Sequence, residues 1–261
     1  VSRFGIDFAW GRPTIPQLRA HGVTFVGRYF SWHEGRGLAS SPGKDLSRDE
    51  LASYRANGIG VVVAWETLAD RALSGEAGGH ADAMRALEQA RAVGWDGPIQ
   101  FAVDFDAAGA EVEPYFRGAH TAAVERTGCY GGYRVVSYLF DQGHIRHAWQ
   151  TYAWSGGQWD RRALVRQYSN EHTVAGVDCD YDVEIGTFPS APKPAPKPSP
   201  LAVLTGQEHA ALGEVVTLRK AIWLAAEHGR TPNGHPTPKG WGIRNRTARY
   251  HLLWSYTKGL G

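Results

Sequence analysis

Two alternating patterns of apolar and polar positions fill the first 188 residues. Short apolar runs at 3–9, 23–30, 59–66, 98–105, 128–133, 148–153, 163–168 and 177–183 predict strands. Between several of them, 46–57, 79–93 and 110–126 carry apolar residues at helical spacing, with Asp or Ser near their starts where caps belong. Strands alternating with helices predict a parallel sheet, and eight strands suffice to close it, so the expected fold is α/β, a modified (β/α)8 TIM-like barrel. The second half is less regular. Glycine turns at Gly131-Gly132 and Gly156-Gly157 leave little room for helices there, which predicts last helices that are short or missing.

The pattern breaks at 189–200, where proline alternates with Lys, Ala and Ser. Proline fixes φ and removes the amide donor, so this segment is expected to be an extended linker. At about 3.1 Å per residue it spans roughly 35 Å. Beyond it, Thr205 and Glu208 have capping-box spacing at the head of a helical stretch reaching about 228, and 245–257 predicts a second helix. The expected organisation is a barrel over 1–188, a linker over 189–200 and a small basic helical domain over 201–261. Some 60 residues with two helices make a thin core, which points to self-association through the long helix or docking on another body.

Composition places the chain among ordinary globular proteins: 43% hydrophobic and 21% charged residues indicate neither disorder nor a membrane protein. There is no run of 18 apolar residues, so no membrane span is expected. No secretory signal is visible at the start, although a removed one would leave no trace. The net charge of +2 conceals a division. Lys and Arg number 18 against 23 Asp and Glu in 1–188, 2 against 0 in 189–200, and 8 against 3 in 201–261. An acidic body beside a basic tail points to an anionic partner for the tail, such as a wall polymer, nucleic acid or a membrane surface. Nucleic acid is a weaker expectation, because an acidic rim repels phosphate. Cys129 and Cys179 are read as reduced core thiols. Neither Cys-x-x-Cys nor His-Glu-x-x-His occurs, and no metal or cofactor is expected.

Carboxylates recur where apolar runs end. Asp7 closes the first strand, Glu66 the third, Asp104 and Asp106 the fourth, and Asp178 and Asp180 lie on the last. Strand residues two apart face the same way at about 6.6 Å, so Asp104 and Asp106 are expected to converge. In a parallel barrel such ends meet at one rim, where active sites are built. Paired carboxylates suit glycosidic cleavage, since one must hold a proton while the other carries negative charge. Among ten Trp and eleven Tyr, many stand near strand ends, where sugar rings stack. Trp65 and Tyr133 are the ones singled out here.

Phe4-Gly5-Ile6-Asp7-Phe8, Gly27-Arg28-Tyr29-Phe30, Ala64-Trp65-Glu66, Val103-Asp104-Phe105-Asp106, Tyr130-Gly131-Gly132-Tyr133 and Val177-Asp178-Cys179-Asp180-Tyr181-Asp182 together resemble the glycoside-hydrolase-like barrel domains of actinobacterial proteins and their phage endolysins. More distantly they resemble Chalaropsis-type lysozymes. The resemblance covers about 1–188 and implies a barrel acting on peptidoglycan glycan strands at the bacterial cell wall, as a muramidase or phage lysin. By position it implies a site of Asp7, the pair Asp104 and Asp106, and Asp178. The residues themselves make Asp104, Asp106 and Glu66 the candidate catalytic groups, and Asp7, Asp178, Asp180, Tyr133 and Trp65 the candidates for holding the sugar. In the lysozymes the acid is the Glu of an Asp-x-Glu pair. Here that position is Asp106, one methylene shorter, and Glu66 on the neighbouring strand is the other candidate acid. The competing expectation is a barrel that binds wall glycan without cutting it.

Overall fold

The computed structural model describes residues 2–186. Ten strands and five α-helices occur in it. They are β1 (Ser2–Asp7), α1 (Ile15–Ala20), β2 (Phe25–Phe30), β3 (Trp32–His33), β4 (Gly37–Leu38), α2 (Arg48–Ala56), β5 (Gly60–Trp65), α3 (Gly75–Val93), β6 (Ile99–Ala102), α4 (Gly109–Ala123), β7 (Thr127–Gly131), α5 (Tyr133–Asp141), β8 (His147–Gln150), β9 (Val165–Val174) and β10 (Val177–Ile185). Eight strands close a barrel in the order β1-β10-β9-β8-β7-β6-β5-β2, while β3 and β4 form a separate two-stranded ribbon. The linker and tail expected over 189–261 lie outside the described residues.

Each of the eight apolar runs became a barrel strand, and the barrel departs from the expected parallel form at one place. β10 runs antiparallel to both β9 and β1. The cause is local. β9 and β10 are joined through Ala175 and Gly176, with φ of 54° and 79°, and two successive positive-φ residues are the mark of a type I′ hairpin, which can only return the chain antiparallel. The acids near residue 180 therefore reach the rim from the start of their strand, with Asp180 paired to Asp7 at the end of β1.

Helix starts follow their caps. Ser47 and Glu50 form a capping box on α2, and Thr14 with Gln17 another on α1, which the strand and helix patterns did not predict. The predicted strand 128–133 stops at Gly131, and Tyr133 opens α5. Among the described residues no helix follows β8, as the scarcity of helical pattern before the linker predicts. Among the described residues, no helix is long and apolar enough to cross a membrane.

Two apolar layers hold the barrel. Phe25, Val62, Ala64, Trp149 and Val165 pack together inside it. Ile6, Val26, Val61, Val63, Trp65, Phe101 and Cys129 pack outward against helix residues such as Leu18, Leu51, Ala86 and Phe116. β5 reads Gly-Val-Val-Val-Ala-Trp and is buried throughout, as a strand covered on both faces must be. Cys129 and Cys179 are free and buried.

Candidate active site

Asp7, the last residue of β1, is 4% exposed and anchors one half of the rim. Gly27 on β2 makes its space: a Cβ there would stand 2.5 Å from Asp7 Cβ and 2.4 Å from the Trp149 ring. Tyr29 Oη donates to Asp7 Oδ1 at 2.7 Å, and Gln167 Nε2 to Oδ2 at 3.0 Å. The same Gln167 nitrogen donates to Asp180 Oδ2 at 3.0 Å. Its Oε1 accepts from Thr151 Oγ1 at 2.7 Å and from Tyr130 Oη at 3.3 Å. One amide thus turns its donor to two carboxylates and its acceptor to two hydroxyls, which fixes its orientation.

Asp182 lies deeper on β10, with no exposed surface. Trp149 Nε1 donates to its Oδ1 at 2.8 Å, while Oδ2 receives no hydrogen bond from any N–H or hydroxyl and faces Asp7. Two adjoining buried carboxyls cannot both ionise. Burial first, then the neighbouring Asp7, drives Asp182 well above the usual carboxylate range, so Asp182 keeps the proton and donates it toward Asp7. Burial also pushes Asp7 up to about 6, against the hydrogen bonds from Gln167 and Tyr29. Asp180 is likewise raised by burial, and the Glu171 amide donates to its Oδ1 at 2.9 Å.

A second acid group stands beside the first. Glu66, just past β5, accepts from Lys44 Nζ at 2.7 Å, and that ammonium lies 4.6 Å from the centre of the Tyr29 ring. Asp104, two residues beyond β6, is half-buried; burial and then the charge of Glu66 raise its carboxyl, and Lys44 opposes them. Tyr29 and Tyr130 connect the groups. Burial foremost holds both phenols well above their ordinary value; after it, Asp7 and Glu66 act on Tyr29, and Asp7 and Asp104 on Tyr130. Both phenols stay protonated and serve as donors.

Of the residues expected from sequence, Asp7, Glu66, Asp104 and Asp180 come together at this rim. Asp106 does not join them. β6 ends at Ala102, so strand alternation no longer applies at 104 and 106, and Asp106 is 60% exposed in an ion pair with Arg134 Nη2 at 2.6 Å. Asp178 is exposed near the β9–β10 turn and accepts from Thr173 Oγ1 at 3.4 Å. Trp65 is 1% exposed in the outer layer, where it presents no face to a ligand. Tyr133 is half-buried at the start of α5, and its backbone N–H donates to Ser155 Oγ at 3.0 Å.

Sequence alone did not single out Asp182, Tyr29, Gln167 or Lys44. Asp182 was findable, since positions 178, 180 and 182 share a strand face and the one deepest in the strand is the most buried. Tyr29 and Gln167 are single polar residues within strands, and Lys44 sits on a loop, so only the closed barrel brings them to the acids. Among the described residues, no group of three or more His, Cys, Asp and Glu side chains has an arrangement that could hold a metal ion.

A closed barrel with acids gathered where its parallel strands end has the arrangement in which barrel folds build active sites. The model of the Rv2525c-like glycoside hydrolase-like domain matches residues 16–184, and the chain belongs to that family. Among solved structures it is similar to the Tat-secreted protein Rv2525c of Mycobacterium tuberculosis, with a TM-score of 0.64 and 24% identity over 71% of this chain and 96% of that one. An uncharacterized B. stearothermophilus protein matches with a TM-score of 0.51 and 16% identity over 69% of this chain and 94% of that one. The spore cortex lytic enzyme SleM of Clostridium perfringens matches with a TM-score of 0.50 and 15% identity over 73% of this chain and 69% of that one. At these identities the likeness establishes the fold. A comparison with curated proteins gave no match.

Proposed function

We propose that the barrel hydrolyses the glycan strands of bacterial peptidoglycan, as an N-acetylmuramidase of lysozyme type. The observation that carries this reading is the pair of acid groups on either side of Tyr29 and Tyr130. One contains a carboxyl raised by burial and a neighbouring charge, Asp104, and the other a hydrogen-bonded carboxylate, Asp7. Asp104 is assigned as general acid, giving its proton to the glycosidic oxygen as the bond to the anomeric carbon breaks. Glu66 keeps that proton on Asp104 by like-charge repulsion, and Lys44 limits the effect.

Both Asp7 oxygens already accept hydrogen bonds, which suits orienting the substrate better than attacking it. In this scheme the sugar's own 2-acetamido oxygen closes on the anomeric carbon, and Asp7 accepts the acetamido N–H. Water then opens the cyclic intermediate, and Asp104, now ionised, takes its proton back. Asp180 and Tyr133 are assigned to sugar binding. Asp106 and Asp178 stand at the margin, where they can meet only the outer part of a long substrate.

The second reading is a barrel that holds wall glycan without cutting it. It is favoured by Asp106, which replaces the acid Glu of the lysozymes and turns out to Arg134. Turnover of peptide-free wall glycan by the wild type, Asp104→Asn, Glu66→Gln and Asp106→Asn separates the two. The hydrolase reading expects Asp104→Asn to lose about a hundredfold or more and Asp106→Asn to stay within about threefold of wild type. Equal turnover by wild type and Asp104→Asn would remove Asp104 from the mechanism.

The same proposal places the protein at the cell wall, by secretion as for the Tat-secreted Rv2525c or by release as a phage lysin. It assigns the basic segment 201–261 to an anionic wall polymer or to self-association.

A further inference from the structure

Two exposed tryptophans stand on opposite sides of the acids, and neither has a role in the scheme above. Trp10 follows Asp7 by three residues and is 62% exposed. Its ring lies along Gly43, where a Cβ would stand 3.7 Å from it, and Gly43 adjoins Lys44 of the Glu66 pair. Next to it, Gly11 packs on Val177 at the tip of the β9–β10 hairpin. Trp154 follows Thr151 by three residues, and Thr151 is the residue whose hydroxyl reaches Gln167 of the acid network. Trp154 is 38% exposed and its backbone crowds Gly132, at the end of β7.

Around the barrel, Trp10 belongs to the β1 and β2 side and Trp154 to the β7 and β8 side, so the acids lie between them. Trp154 is also held in a conformation that bulky residues avoid, with φ of 55°. The loop that holds it is over-determined. Ser155 Oγ donates to Thr151 O at 2.6 Å and accepts from Gln150 Nε2 at 3.1 Å and from the Tyr133 amide at 3.0 Å. A large apolar ring kept at the surface by a strained, tightly bonded turn beside a carboxylate cluster is poorly explained by core packing.

We propose that Trp10 and Trp154 are two stacking platforms for pyranose rings, one on each side of the bond to be cut, so that the cleft grips at least one sugar to either side of the acids. This rests on the glycan reading above and adds to it the direction of the chain across the rim, from the β1 loop to the β8 loop. A pyranose presents an apolar face of C–H groups to an indole, and the neighbouring donors and carboxylates then take its hydroxyl and acetamido edges.

The test is binding of a peptide-free wall tetrasaccharide, titrated calorimetrically against the full-length protein carrying Asp104→Asn to prevent turnover. Trp10→Ala, Trp154→Ala and Trp154→Phe are added to that form in turn, and cleavage by the otherwise unchanged protein is assayed in parallel. Each alanine form is expected to weaken binding tenfold or more, and Trp154→Phe, which keeps a ring, to stay within threefold of its parent. Trp10 is exposed enough that its alanine form is expected to melt with the parent, so a folding defect at Trp154 leaves the test intact. Unchanged affinity in both alanine forms overturns the platforms even if the wild type cleaves glycan. A parent that does not bind the tetrasaccharide, together with no cleavage by the wild type, overturns the glycan reading itself, and the platforms with it.

Discussion

Replacing Asp182 with Asn tests the shared proton directly. Asn keeps an acceptor for Trp149 Nε1, now 2.8 Å from Asp182 Oδ1, and turns a permanent N–H toward Asp7 in place of a proton that must be held. In the wild type, Asp7 ionises at about 6 when folded, against 3.8 for the free side chain. Between those values the folded state binds more protons than the unfolded one, so stability falls as pH rises through the window. A displacement of this size corresponds to about 3 kcal/mol, fully lost once pH exceeds the folded value. Asp182, raised well above the ordinary range, continues the same trend to higher pH. The Asp7 contribution, set first by burial, remains in the Asp182→Asn protein, whereas the cost that comes from Asp182's own raised carboxyl disappears. Urea unfolding from pH 4 to 8 measures it. Asp182→Asn is expected to match the wild type near pH 4 and to exceed it above that by a margin that widens with pH, at up to about 1.4 kcal/mol per unit. A difference between the two proteins that does not change with pH would refute the shared proton.

The charges around Asp104 set the alkaline limit of activity, because the general acid must be protonated. Glu66→Gln removes the neighbouring negative charge and is expected to move the alkaline limb of the kcat/KM profile to lower pH, whereas Lys44→Met is expected to move it to higher pH. Identical limbs in all three proteins contradict the assignment. Gly27→Ala would place a methyl group 2.4 Å from Trp149 and 2.5 Å from Asp7 Cβ. It should destabilise the barrel by about 1–3 kcal/mol or more in denaturant unfolding, and an unchanged midpoint would mean that the β2 backbone yields there.

The barrel was legible because a strand covered on both faces shows as an apolar run, and Val61 to Val63 or Ile99 to Phe101 can hardly be anything else. Strand direction was not. The reversal before β10 depends on Ala175 at positive φ, and alanine carries no turn signal. Acids at strand ends were visible as acids. Which of them meet was decided by where β6 stops, and its early end at Ala102 sent Asp106 outward to Arg134 while Asp104 stayed beside Glu66. Trp65 shows the same limit from the other side, since alternation along β5 turned it to the helices. Gln167, which ties Asp7 to Asp180, lies 160 residues from Asp7 in sequence and belongs to no local motif.

The most direct test of the central claim is the sugar at the new chain end. Purified peptidoglycan is digested with the wild type and with Asp104→Asn, and the fragments are reduced and identified by mass spectrometry. Reduced muramic acid termini are expected from the wild type and none above background from the variant. Retained binding to the wall with no new reducing termini from the wild type would contradict hydrolysis and leave a glycan-binding barrel.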